Sequence, residues 1–584
     1  MSVIGTAGHV DHGKSTLLQA ITGRDPDRWA EEKRRGLTID LGFVWTRFPS
    51  GEEVSFVDVP GHERFIKNML AGIEAIDVAL FVVAADEGWM PQSEEHLAVL
   101  DLLGLERAVV ALTKVDRVDD DLVELATLEV LENLEGTTLE GAPVVAVSAV
   151  TGRGVGEVVA ALDAALPRLD DGSDPRLWVD RRFSIAGAGT VVTGTLLDGP
   201  LAVGDTLMPY PGDTAVRIRG IESHEQAVER VQPRRRVALN LVGASESLGR
   251  GVMLGREGAW LHTDRFTAFL RPARYVDDLE ERGAYHVHTG TAVTAARLRQ
   301  VDSGALISLA QALPLRYGDR FILRETGRRA VVGGGVVLDP GPPLRGRALR
   351  ASAAIPTELS ADQAADALLG IRGVDQLDRL RAHTGAAPSA GRAVGDRAVT
   401  RTELDRLSRR AVEETDEYHR TTPLRPGLPL ATLASRLAAT PEMTEAAVDL
   451  SADLVSDGTV VSRRGHTVEL DDGQLQAWNR ARQLLADAGL QPPRASELGL
   501  SREVIHGLIR ADELVGISEE LVYLPDDAQR LRTGIAGMAD GFTVAEFRDA
   551  LGLSRKYAVP ILEWADSQGL TRRRGDVRSP VPDA

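Results

Sequence analysis

The chain has 584 residues and no cysteine, with 43% hydrophobic and 26% charged residues and a net charge of −19. This length excludes a single-core fold, and the missing cysteines exclude disulfides, thiolate metal sites and a cysteine nucleophile. The acidic balance excludes RNA binding by diffuse attraction alone, so phosphate contacts would need local cationic faces.

The first motif is a phosphate-binding loop at residues 8–15, which read Gly-His-Val-Asp-His-Gly-Lys-Ser. The run fits G-x-x-x-x-G-K-[ST], follows a β-prone stretch and opens a helical one, which is the setting this loop requires. Its glycines allow backbone N–H groups to face phosphate oxygens, and the helix N-terminus adds its positive end. Lys14 is expected to reach the β- and γ-phosphates, and the Ser15 hydroxyl to bind Mg²⁺. The predicted nucleotide-binding residues of this loop are Gly8, His9, Val10, Asp11, His12, Gly13, Lys14, Ser15 and Thr16.

Further motifs predict the contacts to the γ-phosphate and the metal. Thr38 lies in a polar stretch after the first helix, where its hydroxyl is expected to complete the Mg²⁺ shell. Asp58 ends an alternating β run and is expected to hold Mg²⁺ through water, so Ser15, Thr38 and Asp58 are the predicted metal residues. Gly61 offers a backbone N–H to the γ-phosphate, and His62 follows it directly.

Two later motifs are predicted to hold the guanine base. Thr113, Lys114 and Asp116 close an apolar strand, and Asp116 is expected to accept both donors of the guanine edge. Ser148 and Ala149 close the next strand and are expected to support the base. Each motif is weak alone, but the ordered series, with each member at a strand end, indicates a GTPase domain.

Over these motifs the chain resembles the translational GTPases of the elongation factor Tu type, whose phosphate-binding runs are narrower than generic P-loop patterns. The resemblance implies two catalytic residues: His62 would orient the attacking water, and Asp11 would help to place the phosphates and the metal. It also implies an apolar gate, Val10 and Leu37, that holds His62 back until the ribosome triggers hydrolysis. The sequence departs from the usual Asn-Lys-x-Asp because Thr113 replaces Asn. Threonine keeps one hydroxyl but lacks the amide that ties the base loop to the phosphate loop, so we expect weaker nucleotide retention while Asp116 still selects guanine.

After the GTPase domain the sequence changes to short alternating β runs broken by glycine, which is typical of small barrels. Residues 183–194 read Phe-Ser-Ile-Ala-Gly-Ala-Gly-Thr-Val-Val-Thr-Gly and resemble the second domain of Tu-type proteins, which receives the aminoacyl end of tRNA. A β-rich stretch at 261–338 resembles their third domain, which contacts the tRNA stem. We therefore predict an α/β P-loop GTPase domain followed by two β-barrel domains.

From about residue 352 the composition becomes helical, and a repeat appears. Gly-Leu-Ser-Arg occurs at 499–502 and again at 552–555, each time between two amphipathic helices and before a short hairpin. Helix–turn–helix plus hairpin is the winged-helix pattern, and the spacing permits an array of four such α+β domains. Winged helices usually read DNA or mediate domain contacts, so RNA binding is one of several possible roles.

The last winged helix concentrates cations in an otherwise acidic chain. Arg555 and Lys556 open its second helix, and Arg572, Arg573 and Arg574 lie on its hairpin. Residues 551–584 hold six basic side chains against four acidic ones. These five named residues are the predicted RNA-binding set.

A Tu-type GTPase domain, two barrels and C-terminal winged helices are together similar to one family, the bacterial selenocysteine-specific elongation factors. The resemblance implies GTP-dependent delivery of selenocysteinyl-tRNA to the ribosome at a recoded UGA codon. It implies that the C-terminal domains bind a hairpin in the messenger RNA, and that GTP/GDP and Mg²⁺ are the cofactors. It also implies that Asp180, Arg181 and Arg236 line the pocket for the selenocysteine side chain.

The chemistry of selenium supports that pocket. A selenol is a much stronger acid than a thiol, whose pKa is about 8.5, so selenocysteine is an anion at neutral pH. A carrier that must reject serine needs fixed positive charge, and arginine keeps its charge while forking its donors. The alternative is a surface Arg–Asp pair that contributes little.

The predicted domain limits are 1–170 for the GTPase domain, 176–257 and 259–343 for the barrels, and 350–412, 413–472, 475–530 and 531–584 for the winged helices. No apolar stretch reaches membrane length and the N-terminus lacks a signal-peptide pattern, so we expect a cytoplasmic monomer with no membrane partner. Two alternatives remain open at this point: a GTPase carrier of another tRNA, and a GTP-regulated nucleic-acid-binding regulator without tRNA cargo.

Overall fold

The structure, a computed structural model, divides the chain into two compact units, residues 1–400 and 401–584. It describes residues 2–26, 41–59, 76–167, 174–185, 189–243, 248–280, 282–326, 330–422, 424–466 and 470–581. Among the residues singled out from the sequence, Leu37, Thr38, Gly61 and His62 lie outside these ranges.

The first unit opens with a sheet flanked by helices. The strands are β1 (Ser2–Ala7), β2 (Gly42–Arg47), β3 (Glu53–Asp58), β4 (Val78–Ala84), β5 (Ala108–Thr113) and β6 (Val144–Ala146). They lie in the order β2-β3-β1-β4-β5-β6, and β2 is antiparallel to β3 whereas the other pairs are parallel. The helices are α1 (Lys14–Thr22), α2 (Pro91–Leu102), α3 (Asp120–Leu134) and α4 (Val155–Ala165). Strand β4 is apolar and buried at every position, as expected for a parallel strand covered on both faces.

This topology gathers the predicted nucleotide site at one edge of the sheet. Strands β1, β3 and β5 point the same way, so their carboxyl ends meet on one side. The loop 8–15 follows β1, Asp58 ends β3, and Thr113 ends β5.

The next strands form a first barrel. They are β7 (Arg176–Ile185), β8 (Gly189–Asp198), β9 (Leu201–Ala202), β10 (Thr206–Tyr210), β11 (Val216–Ser223), β12 (Gln226–Val228), β13 (Arg230–Val231), β14 (Arg235–Val242) and β15 (Met253–Gly255). The sheet runs β10-β15-β7-β8-β14-β11-β12, and pairing of β10 with β11 closes it. Alternating residues such as Leu177, Val179 and Leu239 point inward and form its core.

A second barrel follows directly. Its strands are β16 (His262–Pro272), β17 (Arg282–Thr289), β18 (Ala292–Val301), β19 (Gly304–Pro314), β20 (Arg320–Glu325) and β21 (Val331–Asp339). They close in the order β16-β19-β18-β17-β20-β21. Phe266 and Phe321 meet edge to face in its core with their ring centroids 5.2 Å apart.

The first unit ends with a small helical module. Its elements are α5 (Gly346–Ser352), α6 (Ala361–Arg372), β22 (Val374–Gln376), α7 (Leu377–Thr384), β23 (Arg392–Val394) and β24 (Arg397–Val399). The three short strands pair in the order β22-β24-β23, which gives a winged-helix arrangement. A buried ion pair ties this module to the second barrel, because Arg372 Nη2 lies 2.6 Å from Oδ1 of Asp339 and both side chains are almost fully buried.

The second unit contains three further modules of the same kind. Its first elements are α8 (Arg401–Thr421), β25 (Leu428–Pro429), α9 (Leu430–Leu437), α10 (Pro441–Asp449), β26 (Leu454–Ser456) and β27 (Val460–Arg463). The next are α11 (Asp472–Ala488), a 3₁₀ turn (Ala495–Glu497), α12 (Arg502–Arg510), β28 (Val515–Ser518) and β29 (Leu521–Tyr523). The last are α13 (Pro525–Ala536), β30 (Phe542–Thr543), α14 (Val544–Ala550), α15 (Arg555–Ser567), β31 (Thr571–Arg574) and β32 (Val577–Pro580).

The Gly-Leu-Ser-Arg repeat marks equivalent corners in the last two modules. Gly499 and Gly552 both have positive φ, +69° and +63°, where glycine carries no steric penalty. Ser501 and Ser554 are then the N-caps of α12 and α15. The architecture as a whole confirms the predicted fold class. Among the described residues, no helix combines the length and apolar character needed to cross a membrane.

Two predicted domain limits fall inside helices. The limit between 412 and 413 lies within α8, and the limit between 530 and 531 lies within α13. Helix α8 packs against α9 and α10, and the two units divide at residue 400, directly before it. The core around Leu531 on α13 contains Phe547 on α14 and also Tyr523 on β29, so it is shared by the last two modules. Helical periodicity shows which residues face a core, but it does not show which module supplies that core.

Candidate functional site

The loop between β1 and α1 has a backbone that its glycines make possible. Gly8 has φ +121°, and a Cβ there would lie 2.1 Å from the carbonyl oxygen of Val82, so a side chain is sterically excluded. Gly13 has φ +86°, and Asp11, exposed at the turn of the loop, has φ +65°. The loop therefore curls back over the N-terminus of α1, as a phosphate cradle requires.

The side chain of Lys14 lies inside the loop of residues 8–15. Its Nζ donates hydrogen bonds to the carbonyl oxygens of Gly8 and His9, at 3.0 and 2.6 Å. Burial lowers the pKa of Lys14 to about 8. A phosphate group bound in the loop would supply the negative charge that favours the ammonium form.

Ser15 and Asp58 meet on the other side of the loop. The Ser15 hydroxyl donates to Oδ2 of Asp58 at 2.8 Å, and the Thr6 hydroxyl donates to Oδ1 at 2.7 Å. Thr6 in turn accepts a hydrogen bond from the backbone N–H of Val59 at 3.0 Å. A hydroxyl and a carboxylate facing one point are the oxygen ligands that Mg²⁺ prefers, so the residues present fit that ion.

Helix α2 contributes two contacts that the sequence analysis missed. The backbone N–H of Gly8 donates to Nδ1 of His96 at 3.0 Å, and that of Val10 donates to Oε1 of Gln92 at 3.0 Å. Burial, with the charge of Lys14 nearby, lowers the pKa of His96 to about 3, so its neutral ring remains an acceptor. The sequence signal for this helix is Pro91, because proline is common at the first position of a helix and Gln92 follows it directly.

The predicted base-binding residues also come together. The hydroxyl of Thr113 donates to the carbonyl oxygen of His12 at 2.6 Å, so a link between base loop and phosphate loop survives the replacement of Asn. The hydroxyl that threonine keeps reaches the phosphate loop because Thr113 ends β5 next to β4.

Asp116 and Lys114 have different surroundings. A hydrogen bond from Ser148 holds the pKa of Asp116 below its ordinary value, and the side chain is exposed. Lys114 has φ +58°, and its Nζ lies 2.6 Å from Oε1 of Glu87. Ser148 is fully buried, and Ala149 beside it is half-buried.

A second site lies between β2 of the GTPase domain and the first barrel. The cleft has a volume of about 300 Å³, and its walls include Phe43, Phe183, His224, Arg181 and Arg236. Of the three residues predicted to bind the side chain of the cargo, Arg181 and Arg236 line the cleft, and Asp180 pairs with Arg236.

Arg236 is held from three sides in this cleft. Both its terminal nitrogens donate to the carboxylate of Asp180, and Nη2 also lies 3.2 Å from the Thr193 hydroxyl. Its guanidinium carbon stacks 3.6 Å from the centroid of the Phe43 ring. Burial acts to raise the pKa of Asp180, but the charge of Arg236 outweighs it and holds that pKa below its ordinary value.

Arg181 is oriented by the GTPase domain. Its Nη2 donates to the backbone carbonyl of Leu41 at 3.2 Å. Glu222 and Glu225 line the same cleft, so the two arginines share it with acidic side chains. An exposed Arg–Asp pair, the alternative considered from the sequence, does not describe this arrangement, because the side chain of Asp180 is only 9% exposed.

The predicted RNA-binding residues lie on two edges of the last module. Arg555 and Lys556 are exposed in the first turn of α15, and Arg572, Arg573 and Arg574 are exposed on β31. Arg573 donates from Nε to the carbonyl oxygen of Gly575 at 3.0 Å, which holds it at the tip of the hairpin.

Arg578 on β32 differs from these cations. It is 4% exposed and pairs with Asp566, Nε to Oδ2 at 2.9 Å. It fastens the hairpin to α15 and leaves the exposed cationic surface to the other five residues.

Comparison with known proteins gives three family matches. Residues 1–168 match the elongation factor Tu GTP binding domain, residues 263–344 the beta-barrel domain of selenocysteine-specific elongation factor, and residues 535–579 the winged helix of elongation factor SelB. The selenocysteine-specific elongation factors of Desulfomicrobium baculatum and Escherichia coli (strain K12) are each 34% identical, over 99% and 98% of both chains. The crystal structure of bacterial selenocysteine-specific elongation factor EF-Sec has a TM-score of 0.77 at 26% identity and covers 99% of both chains.

Proposed function

The chain belongs to the family of selenocysteine-specific elongation factors, and on that premise we propose that it carries selenocysteinyl-tRNA to the ribosome at recoded UGA codons. It is a translational GTPase that binds GTP and GDP and hydrolyses GTP. The observation that supports this cargo most strongly is the cleft lined by Arg181 and Arg236, in which Asp180 holds Arg236 in place.

The phosphate loop would hold the nucleotide by backbone N–H groups and by Lys14. Ser15 and Asp58 would hold Mg²⁺, together with Thr38 from outside the described residues. When bound, Mg²⁺ neutralises charge on the β- and γ-phosphate oxygens. Asp116 would accept the guanine edge, while Ser148 orients its carboxylate and Thr113 fixes the base loop to the phosphate loop.

Hydrolysis would depend on residues that the resemblance supplies. His62 would orient the attacking water, and Gly61 would donate its N–H to the γ-phosphate. Val10 and Leu37 would keep His62 away until the ribosome is engaged, and Asp11 would help to place the phosphates. Of these five, the described residues include Val10, half-buried in the loop, and Asp11, exposed beside it.

The cleft would recognise the side chain of the cargo by charge. A selenolate carries one negative charge, which the guanidinium groups of Arg181 and Arg236 in the cleft would attract. Asp180 orients Arg236, and the backbone carbonyl of Leu41 orients Arg181. Seryl-tRNA, with a neutral hydroxyl, would make no charge-assisted contact there, which is the basis proposed for its rejection.

The last module would bind the messenger RNA. Arg555 and Lys556 at a helix start and Arg572 to Arg574 on the hairpin form two exposed cationic edges. Such edges can follow the phosphates of an RNA stem, while base specificity would come from unpaired loop or bulge bases. The match to the SelB winged helix covers this module and supports the assignment.

A tRNA carrier can be distinguished from a regulator without tRNA cargo by whether it protects the ester of an aminoacyl-tRNA. A carrier buries the ester of its aminoacyl-tRNA, so the full chain should slow ester hydrolysis of selenocysteinyl-tRNA with a GTP analogue and not with GDP. The seryl form of the same tRNA is the matched control and should gain little protection. No protection in either nucleotide state would favour a GTP-regulated RNA-binding protein without tRNA cargo, and equal protection of both forms would favour a carrier of another tRNA.

A further inference from the structure

The connection between β4 and α2 lies beside the base loop that follows β5. The backbone N–H of Ala85 donates to the carbonyl oxygen of Thr113 at 2.9 Å, so the connection starts hydrogen-bonded to the end of β5. The N–H groups of Glu87 and Gly88 both donate to the carbonyl oxygen of Ala84, at 3.2 and 2.9 Å, and close a tight turn. The side chain of Glu87 therefore starts from a turn that is tied to the base loop.

Helix α3 and strand β4 hold the same turn. The backbone N–H of Trp89 donates to Oε2 of Glu129 on α3 at 3.0 Å. The Trp89 ring stacks on Phe81 of β4, with the ring centroids 5.4 Å apart and the planes 4° apart. These contacts fix the backbone that carries Glu87, so this carboxylate can in turn hold another side chain in place.

Lys114 in the base loop is the side chain that Glu87 contacts. The φ of Lys114, +58°, lies in the left-handed region, which is unfavourable for a residue with a Cβ and needs support from its surroundings. Its Nζ lies 2.6 Å from Oε1 of Glu87 and 3.4 Å from Oδ1 of Asp86, and the side chain is 17% exposed. Asp86 is shared with Arg117 at 3.5 Å, so Glu87 is the closer and less divided partner of Lys114.

The other carboxylate oxygen of Glu87 faces the phosphate loop. It lies 3.9 Å from Nε2 of His12, whose ring is fully buried. Nδ1 of His12 lies 3.3 Å from the carbonyl oxygen of Val82, so that nitrogen carries the proton of the neutral ring. Burial lowers the pKa of His12 to about 4, so at neutral pH the ion pair of Glu87 is with Lys114 and not with His12.

We propose that Glu87 is a positioning residue, which fixes the side chain of Lys114 for contact with the bound guanine nucleotide. This inference rests on the proposed placement of Lys114 and Asp116 at the base, and it adds a carboxylate from outside the base motif. The connection that carries Glu87 leads into α2, whose Gln92 and His96 accept N–H groups of the phosphate loop. One segment would thus support both loops of the nucleotide site.

The test measures the dissociation of fluorescently labelled GDP from the full chain by stopped flow, without tRNA or ribosomes. Glu87→Gln keeps the size and an acceptor oxygen but removes the charge, and it should release GDP about threefold to fivefold faster. The direction is informative, because removal of an acidic charge would otherwise favour binding of an anionic nucleotide. The matched control is Glu132→Gln on α3, an exposed acid of the same domain, which should release GDP at the parent rate.

A second variant shows whether Glu87 acts through Lys114. Lys114→Met should release GDP faster than Glu87→Gln does, because it removes the ammonium group itself. In the Lys114→Met background, Glu87→Gln should not accelerate release further, whereas an independent structural loss would add to the first effect. Inosine diphosphate lacks the 2-amino group that Asp116 is proposed to bind, so Glu87→Gln should accelerate its release by the same factor as that of GDP.

Five results would overturn this inference. They are parent-like GDP release from Glu87→Gln, parent-like release from Lys114→Met, an equal acceleration in Glu132→Gln, a full effect of Glu87→Gln in the Lys114→Met background, and an acceleration confined to GDP. Because these measurements contain no tRNA, they are independent of the proposed cargo. A parent protein without preference for selenocysteinyl-tRNA would contradict the proposed function and leave the role of Glu87 unaffected.

Discussion

Thr113 replaces the usual asparagine of the base loop and keeps one hydroxyl at that position. It joins the base loop to the phosphate loop through a 2.6 Å hydrogen bond to the carbonyl oxygen of His12. Because both groups are buried, removing the donor leaves a carbonyl without its partner, at a cost of about 1 kcal/mol. Thr113→Val should therefore speed GDP dissociation by roughly fivefold in stopped-flow measurements. Thr113→Ser keeps the hydroxyl and should release GDP at the parent rate, and a Val variant as slow as the parent would contradict this role.

His62 carries the proposed chemistry of hydrolysis. His62→Ala should bind GTP with nearly the parent affinity, because Lys14, the loop backbone and Mg²⁺ hold the phosphates. Ribosome-stimulated hydrolysis should fall by orders of magnitude, since water orientation contributes strongly to phosphoryl transfer. Single-turnover hydrolysis with ribosomes measures this directly. A rate within tenfold of the parent would remove His62 from the mechanism.

At the scale of elements, helix α2 supports the phosphate loop from outside the motif. Gln92 and His96 lie one turn apart and accept the N–H groups of Val10 and Gly8. Gln92→Ala should leave the Val10 N–H half-buried without a partner and speed release of both GDP and GTP analogues by about threefold to tenfold. Gln92→Glu keeps an acceptor oxygen and serves as the control. If the Ala variant releases nucleotide at the parent rate, α2 does not stabilise the loop.

The hairpin of the last module is the element that we propose to bind messenger RNA. Arg573→Ala in the full chain should weaken binding of the hairpin RNA and lower the salt slope by about 0.7 to 0.9. Glu546→Gln on α14 is the control, because it removes a charge and keeps the acceptor that caps the helix through Thr543. A preference for duplex DNA, or binding that ignores salt, would contradict the RNA-binding assignment.

Local loops and helix caps are predicted well from the sequence, whereas domain limits and long-range contacts are predicted poorly. The phosphate loop is predictable because the positive φ at two of its positions requires glycine, Gly8 and Gly13. The turns between helices in the last two modules are predictable because a glycine marks the turn and a serine caps the next helix. The predicted limits at 412 and 530 fall inside helices because α8 packs on the elements that follow it and the core around α13 is shared by two modules. His96 was missed because its contact to Gly8 spans 88 residues.

At the scale of the whole molecule, the predicted cationic sites have different surroundings. Arg181 and Arg236 line a half-buried cleft, whereas the cationic edges of the last module are exposed. A desolvated charge discriminates and exposed charges bind by counterion release, so we propose a small anion for the cleft and a phosphate backbone for the exposed edges. Discrimination of the cargo and binding of the messenger RNA should therefore respond to different variants.

The most direct test of the central claim is the equilibrium affinity of the full chain for selenocysteinyl-tRNA against seryl-tRNA, with a GTP analogue and with GDP. Losing a charge-assisted contact in the cleft costs about 1.5–3 kcal/mol, so we predict a preference of roughly tenfold or more for selenocysteinyl-tRNA, present with the GTP analogue. Arg181→Glu or Arg236→Glu should remove most of that preference and leave GTP affinity unchanged. Equal affinity of the parent for both tRNAs, or full discrimination in both variants, would contradict the account.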